Sequence, residues 1–374
     1  MRLRDRLARH IAQAGPISIA DYMDHCLHDI EGGYYAARPK LGLAGDFITA
    51  PHVSQMFGEL LGLWAAEVWE RLGRPCRVRL VELGPGDGVM MTDVLRAAKA
   101  APGFLASSEV WLVETSAPLR VLQQNTLTGV APSVRWAERF ADVPADAPLI
   151  VLANEFLDCL PIRQAVKREG GWAERRVGAD EKGRLSFELV GQWSSRGSSR
   201  GSSRACAGLP AGLRALLPGE AATPLGSILE WSDELTALGR TIGEVIAHVS
   251  GAALLIDYGR DAACCGDTLQ AVRAHGKESP MAHPGEADLT AHVDFPAFLR
   301  AAHAAGARTA PIIRQGDFLR ALGVEARAAA LAGASPEKRA LIGRQLARLI
   351  APDQMGELFK AACVHSPGLA PPGF

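Results

Sequence analysis

Three glycines at alternate positions follow an apolar run that is typical of a buried strand. The run Val78–Leu83 leads into the segment E-L-G-P-G-D-G, residues 82–88, and a stretch with helical periodicity begins at Val89. A glycine-rich turn between a strand and a helix lets the backbone approach a ligand closely, because a Cβ at those positions would block it. The spacing therefore predicts that a nucleotide-like cofactor binds at the end of this strand.

Two cofactor classes fit a turn of this kind. Dinucleotide sites favour G-x-G-x-x-G, but here the third glycine comes one position early, at Gly88, and Val89 occupies the later position. The pattern E-x-G-x-G-x-G, with the acid at Glu82, is that of class I methyltransferases that use S-adenosyl-L-methionine (SAM), a cationic ligand without phosphate. Glu114, at the end of the next strand, suits the two ribose hydroxyls as an acceptor. These residues favour SAM, and an NAD-dependent oxidoreductase remains the alternative.

A second group of polar residues follows the strand Leu149–Ala153, where the chain continues N-E-F-L-D. The carboxyl ends of adjacent parallel strands line the ligand crevice of such sheets, so we expect this group to lie beside the transferable methyl group. A carboxylate suits a cationic nitrogen acceptor, since it can orient a guanidinium and take up its proton. The Asn/Asp-Pro-Pro-aromatic tetrapeptide of enzymes that methylate adenine or cytosine is absent from the sequence. We predict that the catalytic residues are Glu155, Asn154 and Asp158.

The elements that must position these residues alternate between strands and helices from residue 77 onward, which predicts a parallel sheet with right-handed crossovers. The next strand of that sheet is expected only at Ala252–Asp257, about a hundred residues after the strand ending at Ala153, and Leu358–His365 could close the sheet. The intervening segment predicts an inserted α+β region. Its expected elements are short antiparallel strands around 163–168, 172–177 and 184–190 and a helix near 228–249.

Composition and charge exclude several classes of protein. The 374 residues carry 40 Lys plus Arg against 41 Asp plus Glu, so no overall positive field attracts nucleic acid, and we expect no nucleic-acid partner. No apolar run reaches the roughly 18 residues of a membrane span, and the N-terminus lacks the apolar region of a secretory signal. The seven scattered cysteines are expected to be free thiols, and no spacing predicts a metal site. A Ser-Ser-Arg-Gly repeat at 194–204 is interpreted as a flexible hairpin tip.

The order of the motifs resembles the MidA-like family of SAM-dependent methyltransferases, which is related to the mitochondrial complex I assembly factor. The resemblance runs from about residue 5 to the C-terminal strand. It implies a class I SAM-methyltransferase fold: an α/β, Rossmann-like, seven-stranded and mostly parallel sheet with an N-terminal helical segment and an inserted α+β subdomain. The motifs are G-G-Y-Y (32–35), G-D-F-I-T-A-P (45–51), S-Q-M-F-G-E (54–59), E-L-G-P-G-D-G (82–88), N-E-F-L-D-C-L-P (154–161), I-D-Y-G (256–259) and G-E-A-D-L-T-A-H-V-D-F (285–295).

Four consecutive parts are expected on this basis. Residues 1–76 form N-terminal helices and an active-site lid, and 77–162 form the first part of the SAM-binding core. Residues 163–250 form the inserted subdomain with its Ser/Arg/Gly tip, and 251–374 complete the core with helical additions.

The resemblance also implies an activity and site residues. For mitochondrial members the activity is symmetric dimethylation of an arginine in a core subunit of respiratory complex I. We therefore expect a protein-arginine N-methyltransferase with SAM as cofactor and a protein substrate. The alternative is a non-catalytic assembly chaperone that keeps the fold and binds SAM. The implied cofactor-binding residues are Glu82, Gly84, Gly86, Gly88 and Glu114, with Thr49, Ser54 and Gln55 closing over the cofactor.

The long segment 31–52, which lacks helical or strand periodicity, is given a role by the same resemblance. We predict that Tyr34, Tyr35 and Phe47 form a lid that excludes water from the sulfonium, and that His292 lines the acceptor channel together with Asp294. The helical surface around 54–72 could support a homodimer. The expected location is the cytoplasm for a bacterial-type protein and the mitochondrial matrix for a eukaryotic one.

Overall fold

The computed structural model describes residues 1–37, 49–131, 133–194, 209–214, 216–219 and 223–374. The predicted lid residue Phe47 lies outside the described residues, and so do residues 195–204 of the Ser-Ser-Arg-Gly repeat. The helices are α1 Leu3–Ala14, α2 Ile19–His28, α3 Tyr34–Ala37, α4 Ala50–Val53, α5 Gln55–Arg71, α6 Val89–Ala98, α7 Phe104–Ser107, α8 Ala117–Leu127, α9 Ala211–Arg214, α10 Asp233–Val249, α11 Phe295–Ala304, α12 Gln315–Ala321, α13 Val324–Ala334 and α14 Arg339–Ile350. The strands are β1 Ile17–Ser18, β2 Val78–Leu83, β3 Ser108–Val113, β4 Val134–Ala137, β5 Leu149–Asn154, β6 Arg163–Arg168, β7 Gly171–Ala179, β8 Leu185–Ser194, β9 Ile228–Trp231, β10 Gly251–Arg260, β11 Gln270–Arg273, β12 Gly276–Glu278, β13 Asp288–Thr290, β14 Val293–Asp294, β15 Arg308–Thr309, β16 Ile313–Arg314 and β17 Phe359–His365.

The described residues divide into two compact units, each built from three separate stretches of chain. The first unit takes its residues from Met1–Pro39, Cys159–Thr236 and Arg260–Ala297. The second takes its residues from Lys40–Asp158, Ala237–Gly259 and Phe298–Phe374.

Antiparallel sheets organise the first unit. The larger sheet has the order β1-β7-β6-β9, with β8 also paired to β7, and the smaller has the order β12-β11-β13. The apolar face of α1, with Leu3, Leu7 and Ile11 buried, belongs to the same core as α2. A capping box begins α2: the Ser18 hydroxyl accepts from the Asp21 N–H at 3.0 Å, and the Asp21 carboxylate accepts from the Ser18 N–H at 3.2 Å.

A mixed sheet with the order β15-β17-β10-β5-β2-β3-β4 forms the centre of the second unit. The strands from β10 to β4 run parallel, whereas β17 is antiparallel to β10. Every residue of β2 and β5 is buried, as expected for central strands covered on both faces. Leu83 is in register with Val113 of β3 and with Ala153 of β5. The turns that follow these three strands therefore emerge at one edge of the sheet.

Helices α5 and α6 of this unit pack backbone to backbone through glycine. A Cβ at Gly58 would lie 2.6 Å from the Asp93 Cβ, and one at Gly62 would meet the Val94 backbone. Between these glycines Glu59 is buried, and its carboxylate accepts from Arg327 Nε at 2.8 Å and from Arg96 Nη2 at 3.2 Å. The close approach and the paired buried charge hold α5 against the helix that follows the glycine-rich turn.

One helix prediction is wrong at its first residues. The helix expected over 228–249 begins only at Asp233, because Ile228–Trp231 pairs with β6 as strand β9. The Ser232 hydroxyl accepts from the Leu235 N–H at 3.0 Å and so marks the true helix start. Farther along the chain, Pro336 separates two helices, since α13 ends at Ala334 and α14 begins at Arg339.

Candidate active site

The glycine-rich turn after β2 has the backbone that its sequence predicts. Gly84, Gly86 and Gly88 have φ values of +61°, +55° and +85°, a region that favours glycine. At Gly84 space is limiting as well, because a Cβ there would lie 2.6 Å from the Phe156 Cδ2. Gly88 is the N-cap residue of α6. The turn thus presents backbone at the carboxyl edge of the sheet, beside the start of a helix.

Glu82 lies beneath this turn as a buried acid in the central strand β2. Its side chain is about 2% exposed, and Oε2 has no hydrogen-bond partner among the described residues. Burial, with a smaller contribution from the nearby Asp87 carboxylate, raises the pKa of Glu82 to about 8. A buried carboxylate with an unused oxygen is a site at which a cationic ligand group would be stabilised.

Glu114 follows β3 at the same edge, and its carboxylate is fixed by two donors. Oε1 accepts from the Ser116 N–H at 2.7 Å, and Oε2 accepts from Gln123 Nε2 at 3.2 Å. Burial raises the pKa of Glu114, and the two donated hydrogen bonds counter this rise. Each oxygen keeps a lone pair beyond these bonds, so the carboxylate can still accept from a pair of hydroxyls.

Gln123, which the sequence analysis missed, connects Glu114 to the glycine turn. It lies on α8, is fully buried, and donates through Nε2 to the Gly86 carbonyl at 2.8 Å as well as to Glu114. Its Oε1 accepts from Trp136 Nε1 at 2.8 Å. A single glutamine on an amphipathic helix matches no motif. The one sequence signal for Gln123 is a polar residue on the helix face that is predicted to be buried.

The turn after β5 holds the predicted catalytic residues Asn154 and Glu155. Glu155 is a non-glycine residue with φ of +49°, a strained conformation that residues at functional sites often adopt. Its Oε1 accepts from the Ala50 N–H at 2.9 Å and from Asn154 Nδ2 at 3.2 Å. Burial raises the pKa of Glu155 to about 7, the Ala50 hydrogen bond opposing it and the Asp158 charge adding to it. A carboxyl group in this range can exchange a proton near neutral pH.

Asp257 on β10 stabilises that strained turn. Its Oδ2 accepts from three successive backbone N–H groups, those of Phe156, Leu157 and Asp158, at 3.1, 2.9 and 3.2 Å. Burial and the neighbouring carboxylates raise the pKa of Asp257, whereas the donated N–H groups lower it. The predicted catalytic residue Asp158 is itself buried, and its Oδ2 accepts from the Tyr258 hydroxyl. Asp257 lies in the motif I-D-Y-G, but that motif does not by itself indicate a role for its carboxylate in the turn after β5.

The short helix α4 and the start of α5 contain the other predicted cofactor residues. Thr49 Oγ1 is hydrogen-bonded to His52 Nδ1 at 2.8 Å, and His52 Nε2 donates to Asp87 Oδ2 at 2.9 Å. The Ser54 hydroxyl caps α5 by accepting from the Met56 N–H at 3.3 Å. Gln55 is exposed, and its amide donates to Glu59 at 3.1 Å. His52 and Asp87 are the residues of this group that sequence reasoning missed, although Asp87 lies inside the glycine motif.

The remaining predicted residues belong to the first unit and are described within it. Tyr34 is buried and meets Tyr35 edge to face, with ring centroids 5.1 Å apart. The Tyr35 hydroxyl donates to Asp288 Oδ1 at 3.0 Å. The His292 N–H donates to the Thr268 hydroxyl at 2.9 Å, and the buried Asp294 accepts from Arg260 at 2.6 Å. The proposed lid and channel roles of these residues stay predictions.

The described part of the chain contains neither a cluster of metal ligands nor a membrane-spanning helix. Within it, no group of three or more His, Cys, Asp or Glu side chains is arranged to hold a metal ion. None of the helices found there combines the length and the apolar character needed to cross a bilayer. The six cysteines in that part of the chain are free thiols.

The residues at the carboxyl edge of the second unit's sheet fit SAM. Glycine backbone at the turn admits a ligand, the Glu114 carboxylate can accept from two ribose hydroxyls, and the unused oxygen of Glu82 suits the positive charge of the cofactor. A pyrophosphate would instead meet the Asp87 carboxylate, whose pKa the His52 partner lowers, near the start of α6. The acidic residues of the site therefore suit the positive charge of SAM better than the negative charge of a dinucleotide.

Comparison with known proteins agrees with this geometry. Residues 60–313 match a family model described as "Putative S-adenosyl-L-methionine-dependent methyltransferase". The protein arginine methyltransferase NDUFAF7 of Danio rerio is 33% identical over 95% of this chain and 84% of its own length. The Drosophila melanogaster homologue is 34% identical, covering 96% and 83%, and the Homo sapiens protein is 33% identical, covering 93% and 80%. All three are named as mitochondrial.

Solved structures lead to the same fold. A crystal structure of a Burkholderia thailandensis protein bound to S-adenosyl-homocysteine has a TM-score of 0.82 and 28% identity, covering 97% of this chain and 91% of that chain. A second structure from the same organism has a TM-score of 0.80 and 29% identity, covering 100% and 94%.

Proposed function

This chain belongs to the MidA-like family of SAM-dependent methyltransferases, and we propose that it methylates an arginine side chain of a protein. SAM is its cofactor, as the family description and the S-adenosyl-homocysteine in a similar structure indicate. The arginine acceptor is supported by the names of the relatives, which are protein arginine methyltransferases. Membership of this family excludes the alternative of an NAD-dependent oxidoreductase.

When bound, SAM supplies an electrophilic methyl group on a cationic sulfonium. The chain's own residues bind and orient it: Gly84, Gly86 and Gly88 admit the cofactor to the backbone, and Glu114 accepts from ribose hydroxyls. The positive charge of the cofactor would favour release of the proton that burial holds on Glu82. Methyl transfer is a displacement between aligned atoms, so most of the acceleration comes from positioning.

The observation that carries the arginine proposal is the Glu155 carboxylate. Its two hydrogen bonds both fall on Oε1, which leaves Oε2 outside them. A guanidinium with a pKa above about 12 must lose a proton as its nitrogen gains a methyl group. Glu155, with its pKa raised to about 7, can pair with the guanidinium and accept that proton at Oε2. Asn154 is proposed to hold Glu155 in place by direct donation, and Asp158, whose carboxylate accepts from Tyr258, is proposed to keep the pKa of Glu155 raised through its charge.

Two variants separate cofactor binding from catalysis. Glu155→Gln should leave SAM affinity near that of the wild type and lower turnover by roughly a hundredfold or more, since a general base contributes that much. Gly86→Val should abolish SAM binding, because valine is strained at φ +55°. Isothermal titration calorimetry with SAM reports the first quantity and transfer of a labelled methyl group reports the second. If Glu155→Gln loses SAM binding instead, its role toward the acceptor is wrong.

The acceptor itself is identified by mass spectrometry of proteins from cells with and without this chain. We expect a dimethylarginine site that disappears without the chain, returns with the wild type, and does not return with Gly86→Val. The resemblance points to a core subunit of respiratory complex I as the protein to inspect first. If the modified arginines are identical in both cells, the arginine proposal fails. If assembly of the partner complex is then restored by Glu155→Gln, the non-catalytic chaperone is the better description.

Several finer features of this chain are proposed as well. We propose the class I, seven-stranded description of the sheet and the four-part division at residues 76, 162 and 250, which are supported by the shared order of motifs. We likewise propose the lid of Tyr34, Tyr35 and Phe47, the channel role of His292, and a homodimer through the 54–72 helix. Cytoplasmic or matrix location stays a prediction from the sequence.

A further inference from the structure

Helix α4 and the residue before it contact two separate parts of the candidate site. Thr49, Ala50 and His52, called here the α4 latch, make three side-chain hydrogen bonds within 2.8–2.9 Å: Thr49 to His52, His52 to Asp87, and the Ala50 N–H to Glu155. Asp87 belongs to the glycine turn that precedes α6, whereas Glu155 belongs to the turn after β5. The latch therefore links the cofactor turn with the proposed proton acceptor.

We propose that His52 is a positioning residue that couples the cofactor turn to Glu155. The proposal rests on the proposed function and deepens it, because it assigns a residue that connects cofactor binding with catalysis at the same site. His52 does this by holding α4 where the Ala50 N–H meets the Glu155 carboxylate. Loss of the His52 side chain should therefore affect both the cofactor turn and the Glu155 carboxylate.

Two features argue that these bonds serve more than helix capping. α4 has four residues, too few to be stable without tertiary contacts. Thr49 is its N-cap residue, yet the Thr49 hydroxyl makes no capping bond and is hydrogen-bonded to His52 instead. A side chain that would ordinarily cap the helix is thus used to orient the imidazole.

Electrostatics at the latch favour a charged His52. The His52 and Asp87 side chains are only 16% and 21% exposed. The hydrogen bond with Asp87 raises the pKa of His52, and the Glu155 charge adds to the rise, whereas burial opposes it. The His52 partner in turn lowers the pKa of Asp87 against the effect of burial. A charge-assisted bond of this kind is about twice as strong as a neutral one.

The test compares His52→Leu, which removes both ring nitrogens, with His52→Gln, whose amide can still donate to Asp87. Calorimetry with SAM, in the absence of any acceptor, should show affinity about tenfold weaker for His52→Leu and an intermediate loss for His52→Gln. Thr49→Val, which removes the hydroxyl, should weaken SAM binding. Thr49→Ser, which keeps it, should bind SAM like the wild type. His365→Leu is the matched control, since His365 is also half-buried but lies on β17.

The second readout is the pH dependence of turnover. The charged groups facing His52 are Asp87 and Glu155. The Ala50 N–H and the His52 charge both lower the pKa of Glu155. His52→Leu displaces the first and removes the second, so the acidic limb of the pH–rate profile should move above its wild-type position near pH 7. A purely structural role of His52 would lower activity at every pH without moving this limb.

The outcomes separate the latch from the function. If His52→Leu binds SAM like the wild type, or if Thr49→Ser behaves like Thr49→Val, the latch proposal is overturned. It is also overturned if the losses from His52→Leu and Asp87→Asn simply add, because residues acting through one bond are not additive. Wild-type turnover in Glu155→Gln would instead overturn the proposed function and leave the SAM-affinity result intact.

Discussion

Gln123 offers a quantitative test of how the cofactor site is held together. The substitution Gln123→Leu keeps the size of the side chain and removes three hydrogen bonds, to the Gly86 carbonyl, the Glu114 carboxylate and the Trp136 indole. The variant therefore isolates the contribution of one buried amide.

The expected loss of stability follows from the number of hydrogen bonds that the substitution removes. Each hydrogen bond contributes about 1 kcal/mol net, so the free energy of unfolding should fall by about 3 kcal/mol. Gly86, Glu114 and Trp136 are only partly buried, so water can replace some of the lost partners and the larger penalty for isolated buried groups does not apply. Glu114 also loses one of the two donors that fix its carboxylate, which should weaken SAM binding by about fivefold to tenfold, the equivalent of one bond.

Urea unfolding measures the first effect and calorimetry with SAM measures the second. The neighbouring Gln124 lies on the same helix and is exposed, so Gln124→Leu is the matched control and should change neither quantity appreciably. Wild-type SAM affinity in a folded Gln123→Leu protein would refute the idea that Gln123 orients Glu114. A loss of stability without any loss of affinity would assign Gln123 to packing alone.

Three further predictions concern groups of the second unit. The cofactor-free protein should lose stability as the pH rises from about 4.5 to about 8, because the native state holds the Glu82 proton up to its raised pKa while the unfolded chain releases it earlier; Glu82→Gln should flatten this fall in urea titrations at several pH values. Gly62→Ala should destabilise the protein by about 1–3 kcal/mol through collision with the Val94 backbone, whereas Gly343→Ala, in an open helix position, should stabilise it by about 0.5–1 kcal/mol. Asp257→Ala should lower both thermal stability and turnover by leaving three backbone N–H groups without their acceptor, and unchanged turnover would contradict its support of Glu155.

The parts of the site predicted from the sequence are those in which backbone and local spacing decide the structure. Strand β2, the glycine turn and Glu114 follow from an apolar run, a requirement for positive φ, and the register of parallel strands. Strand β17 was also expected, because its apolar run is long enough to close a sheet. In these cases local preference and tertiary environment agree.

The parts that were missed depend on partners distant in the chain. The acceptor role of Asp257 becomes visible only when β10 lies beside β5, about a hundred residues after the turn it stabilises. The helical periodicity of α10 extends back over β9 and predicts helix there. Pairing with β6 outweighs this periodicity and makes the segment a strand. His52 lies in a four-residue helix, which is too short for periodicity to reveal.

The placement of β10 has a consequence for synthesis of the protein on the ribosome. β10 lies between β5 and β17 in the sheet, and its Asp257 completes the turn that carries Glu155. A nascent chain that ends before residue 251 has β2 and the glycine turn but an open edge on β5 and no acceptor for three backbone N–H groups. Domains fold as units while they are synthesised. The cofactor half of the site can therefore organise early, whereas the catalytic half must wait for the last third of the polypeptide to emerge.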